Sequence, residues 1–257
     1  ARDSAWAALD ADFAFVAECN IGGEFLDEAK VARLCEIGAR TWMRTLDDRL
    51  GLSHDERARH AGPPTPLPAV ETLLADKPEH RIARGPADRI DDDNPFGFRM
   101  AVPELLYDRG ELHNLAVARG TLTPEERYKI NDHIVQSIVL LSAIPYPRHL
   151  RAVPEIAGGH HEKIDGTGYP RRLSGDQMST EAKMMAIADI FEALTAADRP
   201  YKTGKPLSEA MAILARMVKN RELDADLFEL FVESGVYADY ARAHLAPVPE
   251  GPAKDAL

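Results

Sequence analysis

Gly158-Gly159-His160-His161-Glu162-Lys163-Ile164-Asp165-Gly166-Thr167-Gly168-Tyr169-Pro170 sets two adjacent imidazoles beside a carboxylate, ahead of a glycine-rich turn closed by Tyr-Pro. Neighbouring residues inside a helix point about 100° apart and rarely share a target. At a helix end that constraint relaxes, and both rings can turn toward one metal ion or cluster. The glycines permit turns that a β-carbon forbids. On its own a His pair in such a stretch reads as a polar surface loop. Partners upstream and downstream change that reading.

Downstream, Ser179-Thr180-Glu181 precedes a helix predicted from about Ala182 to Ala196. Met184, Met185, Ile187, Ala188, Ile190, Phe191 and Leu194 make it hydrophobic nearly all round, which predicts burial. Asp189 and Glu192 lie three residues apart and share a face. A buried carboxylate needs a cationic partner or a metal, and in a helix this apolar ligation is slightly favoured over an ion pair. Upstream, Thr123-Pro124-Glu125-Glu126 combines an N-cap, a proline at N1 and a capping box. The helix it opens carries His133, runs to about Ala143 and has Ile130, Ile134, Ser137, Ile138 and Leu141 as its buried stripe. His149 to Ala157 is predicted as a short helix leading to the His pair. His133, His160, His161 and Asp189 thus come from separate elements. Three imidazoles and a carboxylate suit Fe, Mn, Ni or Zn rather than Ca or Mg. They can hold one ion, or two with Asp189 bridging, and a two-metal site is the recurrent apparatus of phosphodiester hydrolysis.

The remaining chain frames this region. Its 257 residues fit one large domain or two small ones. A hydrophobic fraction of 45% with 28% charged residues is that of a soluble globular protein. The net charge of -11 argues against a DNA or RNA polymer as partner, though a local Arg/Lys cluster still admits a small anion. Cys19 and Cys35 offer neither zinc spacing nor a disulfide framework, so a reducing cytoplasm is the simplest compartment. No apolar run approaches the length of a membrane span. Residues 1–61 read as an N-terminal helical region: Val31, Leu34, Cys35, Ile37 and Trp42 recur at near-helical spacing, Asp27 can cap, and Ser53-His54-Asp55-Glu56 forms a capping box. Residues 62–98 read as a Pro/Gly-rich loop or linker around a short helix near Ala69–Leu74. Residues 99–246 hold the metal-binding helices. Pro103 to Asp108 reads as a helix start that Arg109-Gly110 ends. Two amphipathic helices at 207–219 and 224–234 and a last one at 238–244 complete the region, and 247–257 reads as a disordered tail. The fold class is all-α.

His160-His161-Glu162 followed by Asp165-Gly166-Thr167-Gly168-Tyr169-Pro170 resembles the signature of the HD-GYP family, all-α metal-dependent phosphohydrolases of the HD-domain type that cleave cyclic di-GMP and, in some members, related cyclic dinucleotides. The resemblance runs from about Glu104 to Val236. Leu122 to Glu126 with His133 resembles the family's central helix, Ile187 to Thr195 its late metal-aspartate helix, and Arg199-Pro200-Tyr201-Lys202 its phosphate-contacting turn. The resemblance implies His133, His160, His161 and Asp189 as ligands of one or two transition-metal ions, with Fe or Mn favoured and Ni or Zn compatible. It implies Asp189 and Lys202 in catalytic roles, Arg199 and Lys202 on ligand phosphates, and Tyr169 beside the substrate. The expected partner is a cyclic dinucleotide, and a homodimer is compatible with the family.

The chain departs from the family at the His-Asp dyad and the Gly-Lys pair that follows it. The His-Asp dipeptide present, His54-Asp55, lies before the Pro-rich break and belongs to the capping box. An ungapped register places Glu104-Leu105 at the dyad and Asp108 at the lysine; one shortened by three residues places Tyr107-Asp108 there, with Gly110-Glu111 at Gly-Lys. Glu104 and Asp108, i and i+4 on a predicted helix, are candidate replacement ligands, or two solvated acids. Two functions follow: a cyclic dinucleotide phosphodiesterase, or a degenerate module that binds metal and nucleotide as a sensor.

Overall fold

The computed structural model describes residues 2–91, 93–196 and 204–245. The chain divides into two units, Ala1–Arg89 with Val102–Ile130, and Ile90–Ala101 with Asn131–Leu257. Among the described residues there are ten α-helices and three antiparallel pairs of short strands. The fold class is therefore helical, as expected. No described helix is long and apolar enough to cross a membrane.

The first unit contains α1 (Arg2–Ile21), β1 (Gly23–Phe25), α2 (Glu28–Gly38), β2 (Thr41–Arg44), α3 (His54–Arg59), β3 (Ala69–Thr72), β4 (Arg81–Ala83), β5 (Leu105–Asp108), α4 (Glu111–Leu115) and β6 (Arg119–Gly120), together with the start of α5 (Pro124–Ser142). Local chemistry opens the helices. Asp27 accepts the Lys30 amide at 2.8 Å to start α2. Ser53 and Glu56 form a reciprocal capping box on α3, and Thr123 and Glu126 form another on α5. Phe15 and Cys19 of α1 pack against Leu34 and Ile37 of α2 to make the core of this unit. Strands pair β1 with β6, β2 with β3 and β4 with β5. The last pair is stapled by the buried Arg84, which donates to the carbonyls of Pro103, Asp88 and Leu105 at 3.0 Å each and lies over the Tyr128 ring. Trp6 on α1 and Trp42 on β2 are both exposed.

Several expected helices are strands. Trp42 sits in β2, because α2 ends at Gly38 and Thr41–Arg44 pairs residue for residue with Ala69–Thr72. The latter segment is therefore β3 and not a helix. Leu46 and Leu50 are exposed and continue no buried face. Leu105–Asp108 is β5, so Glu104 and Asp108 do not share a helix face, and Gly110 is the N-cap of α4 rather than a helix end. The predicted tail 247–257 lies outside the described residues.

The second unit contains the rest of α5, then α6 (Val153–Gly159), α7 (Thr180–Thr195), α8 (Leu207–Lys219), α9 (Ala225–Glu233) and α10 (Val236–His244). Ser179 caps α7 and Asp224 caps α9 through their side chains. Ala186, Ile187 and Phe191 of α7 form one core with Leu214 of α8 and Leu223. A second core joins Ile134, Val135 and Ile138 of α5 to Phe98, with Phe96 and Tyr169 against it. Val135 replaces the expected Ile130, which is exposed. The α7 helix is also less enclosed than its composition predicts: Met184 and Met185 are 52% and 40% exposed, and its buried positions form a single stripe. Asp189 is accordingly half-buried and Glu192 exposed.

The glycine pair sets the spacing of these helices. A β-carbon on Gly158 would stand 2.5 Å from Ile138 Cγ1 on α5, and one on Gly159 would stand 2.8 Å from Ala182 Cβ on α7. Two bare α-carbons thus let α6 approach both neighbours at once. Replacing Gly159 with Val is expected to cost about 1–3 kcal/mol through overpacking. Gly23→Ala, where an added β-carbon meets nothing within 4 Å, should stay within about 0.5 kcal/mol of wild type. Urea unfolding of the two variants measures both; equal stabilities would remove the close-approach account.

Candidate metal centre

Three histidines meet where these helices converge. His133 lies on α5 one position before the fully buried Ile134, at the edge of the apolar stripe, and is exposed. His160 is the C-cap of α6 and His161 follows it, so neither ring is bound to the helical 100° spacing. The His160 and His161 rings lie 4.1 Å apart between centroids, and His133 stands edge-on to His161 at 5.1 Å. One ligand nitrogen from each of the three falls within 4.8 Å of the others. The Nε2 atoms of His133 and His161 are only 3.3 Å apart. Two such lone pairs repel unless a proton or a cation lies between them.

The protonation states suit a cation. His160 donates its Nδ1 proton to the Ala157 carbonyl at 2.7 Å, a tautomer assigned from that bond, which leaves the Nε2 lone pair for a ligand. Burial pushes the His161 pKa down to about 4, with the neighbouring His160 adding to the effect, so this imidazole is neutral at ordinary pH. Tyr169 stacks on His161 with centroids 4.8 Å apart, and burial together with the Asp189 carboxylate pushes its phenol up to about 12. The phenol therefore stays protonated and can donate a hydrogen bond. The three-imidazole donor set fits a transition ion of intermediate softness.

The turn after the histidines is held from within. Glu162 is 2% exposed, and its carboxylate accepts the amides of Arg171 at 2.6 Å and Leu173 at 2.9 Å. Gly168 passes over the Glu162 backbone so closely that a β-carbon would lie 2.4 Å from the Glu162 Cα. Asp165 accepts the amide and hydroxyl of Thr167, and the Tyr169 amide donates to the His161 carbonyl. Tyr169 is thereby set against His161 by the same turn that presents the histidine.

The sequence-predicted residues are distributed as follows. His133, His160 and His161 come together. Asp189, on α7, acts electrostatically on both His161 and Tyr169 but stands outside the set of converging ligand atoms. Arg199 and Lys202 lie outside the described residues. His54 and Asp55 have side chains 99% and 95% exposed at the start of α3, as their capping-box reading predicts. Asp108 accepts the Gly110 amide at 2.9 Å and faces Arg81, so its carboxylate is engaged in holding the β5–α4 turn. Glu162 as organiser of the turn, and the Phe96–Phe98 pair beside it, were not foreseen. Glu162 binds main-chain amides, which carry no side-chain signature, and the phenylalanines sit in a stretch whose prolines and acids read as solvated loop.

Comparison with known proteins adds independent information. A family model described as HD domain matches residues 43–227, more than half of the chain. A 3'3'-cGAMP-specific phosphodiesterase 3 of Vibrio cholerae is 47% identical over 129 residues, covering 49% of this chain and 26% of that protein. The 3'3'-cGAMP-specific phosphodiesterase 1 of the same organism is 36% identical over 133 residues, 51% of this chain and 30% of its own length. A cyclic di-GMP phosphodiesterase of Pseudomonas aeruginosa is 42% identical over 86 residues, 33% of this chain and 20% of its own. The chain thus spans less than a third of the length of each of these relatives.

The turn makes a pH-dependent prediction. Burial raises the Glu162 pKa above its ordinary 4.5, although the amides of Arg171 and Leu173 pull the other way. The folded state then binds more protons than the unfolded state in the interval above 4.5, so stability falls as pH rises through the folded-state value. The depressed His161 pKa gives the opposite slope, so in urea titrations of chelator-treated protein at acid to neutral pH the stability of Glu162→Gln is expected to climb more steeply with pH than that of wild type. An unchanged slope would count against a strained, buried carboxylate.

Proposed function

This chain belongs to the HD domain family, and from that premise we propose that it is a metal-dependent phosphodiesterase acting on a cyclic dinucleotide, cyclic di-GMP foremost. The observation that carries the reading is the convergence of His133, His160 and His161, with ligand atoms all within 4.8 Å of one another. These three hold the ion in this reading, with Asp189 of α7, whose carboxylate acts on His161 and Tyr169, as the fourth ligand. Iron or manganese is the favoured occupant, with nickel or zinc admitted by the same donors. When bound, the ion supplies Lewis acidity toward a phosphate oxygen and acidifies a water.

The chain's own residues supply the rest. Arg199 offers a fork and Lys202 a point charge to the phosphates in this reading. Tyr169, protonated and stacked on His161, covers one side of the centre and offers a hydroxyl to the substrate. Glu162 keeps that ring in place through the turn amides. The free thiols Cys19 and Cys35 agree with a reducing cytoplasm as the working compartment.

One observation favours a second reading. His54-Asp55 lies exposed in the first turn of a surface helix capped by Ser53 and Glu56, and Asp108 is engaged in a turn, so neither supplies the family dyad at these positions. A module without the dyad binds metal and nucleotide and signals without turnover.

The test loads purified protein with manganese or iron and supplies cyclic di-GMP. Turnover to linear dinucleotide or GMP is expected, and Asp189→Asn should lower kcat by at least about 100-fold, the equivalent of about 2.7 kcal/mol of lost charge stabilisation. His160→Ala should lose most of the bound metal. Nucleotide binding without product identifies the sensor, and undiminished metal in both variants removes the site assignment.

A further inference from the structure

The turn that carries Tyr169 is bound to a second segment, residues 90–101, that the metal centre does not use. The Pro170 carbonyl accepts the Arg99 amide at 2.7 Å, and Arg171 Nε donates to the Phe96 carbonyl at 2.9 Å. The Phe96 ring stacks on Phe98 at 5.4 Å with planes 16° apart. Phe98 is buried, so it is fixed, while Phe96 is only half-buried. One face of Phe96 is thus backed by a rigid ring, and part of its surface meets solvent.

Arg171 stands at the same place. Its Nε is committed to the Phe96 carbonyl, which orients the guanidinium plane, and its two Nη groups make no hydrogen bond among the described residues. A half-buried guanidinium with a fixed plane and a free pair of donors is an incomplete arrangement. It lies two residues after Tyr169, within about 7 Å of chain. Tyr169 in turn stacks on the metal-centre histidine His161.

An aromatic face, and a guanidinium anchored to the same residue's carbonyl with both Nη groups unbonded, match one chemical class. A nucleobase stacks on the ring, and guanine, which presents O6 and N7 side by side as acceptors, completes the fork. Adenine sets an amino donor where the fork needs an acceptor, and pyrimidines lack the paired edge. The ribose separates a base from its phosphate, so a base at Phe96 leaves the phosphodiester free to reach the histidines beyond Tyr169. We propose that Phe96 and Arg171 form a guanine-reading subsite that selects the dinucleotide: Phe96 supplies the stacking face and Arg171 the edge contact. This inference rests on the cyclic dinucleotide reading above and adds the residues that read its base.

The experiment compares manganese-loaded wild type, Phe96→Ala, Arg171→Gln and Arg171→Lys on cyclic di-GMP, 3'3'-cGAMP and cyclic di-AMP. Wild type is expected to favour the two guanine-bearing ligands over cyclic di-AMP by at least about 10-fold in kcat/KM. Phe96→Ala should raise KM by about 10-fold with kcat within about twofold, the signature of lost uniform binding. Arg171→Gln should erase most of the guanine preference, and Arg171→Lys, which keeps the charge but not the fork, should fail to restore it. Metal content should match wild type in the Phe96 variant, whose melting temperature is expected to fall because the ring packs on the Phe98 core. An equal rate on cyclic di-AMP in wild type, or a drop in kcat that is the same for all three ligands in the variants, overturns the subsite. If wild type turns over nothing, calorimetric Kd values for the same ligands and variants decide by the same comparisons. That outcome ends the hydrolase reading alone; the subsite then stands or falls on whether cyclic di-GMP binds more tightly than cyclic di-AMP.

Discussion

Gly158 and Gly159 bring α6 against α5 on one side and α7 on the other, closer than any side chain would allow. The centre depends on that approach. The converging histidines come from the middle of α5 and the end of α6, and no single helix could present all three. The cost is borne in backbone freedom, because a glycine pair weakens a short helix that then relies on its neighbours for order. Packing on Ile138 and Ala182 supplies the order in return.

The turn after α6 extends the same economy. Its conformation is fixed by one buried carboxylate and by main-chain bonds, and so its exposed side chains are free to serve a ligand. Glu162 accepts two amides, Asp165 accepts the Thr167 amide and hydroxyl, and the Ile164 amide donates to the Glu222 carbonyl in the α8–α9 connection. Lys163 pairs with the Glu222 side chain as well. A neutral His161 then faces the centre under a protonated Tyr169, an arrangement that needs no proton release before a cation enters.

Much of this was legible in the sequence, for a definable reason. Caps are short-range chemistry: Asp27, Ser53, Thr123, Ser179 and Asp224 each act on amides three residues away, and each opens the helix its spacing announces. The candidate histidines were nameable because imidazoles beside glycines and at a helix boundary are unusual neighbours. The strands were not legible. Thr41–Arg44 becomes a strand through Ala69–Thr72, and Arg81–Ala83 through Leu105–Asp108, partners some two dozen residues away that no local window contains. Composition also overstated the enclosure of α7, since it cannot say which side of an apolar helix meets a neighbour. Asp189 is half-buried, and the desolvation argument for its ligation is weaker than the sequence suggested.

The placement of the two tryptophans has an optical consequence. Trp6 and Trp42 both belong to the first unit and stand 58% and 50% exposed. Indole emission from this protein therefore reports the water around α1 and β2, with the red-shifted band of a solvated fluorophore even in the native state. The chromophore that sits at the histidines is Tyr169, whose ring lies face to face with His161. Ultraviolet difference absorbance of that phenol, rather than tryptophan fluorescence, is the intrinsic signal placed to follow an ion arriving at the centre.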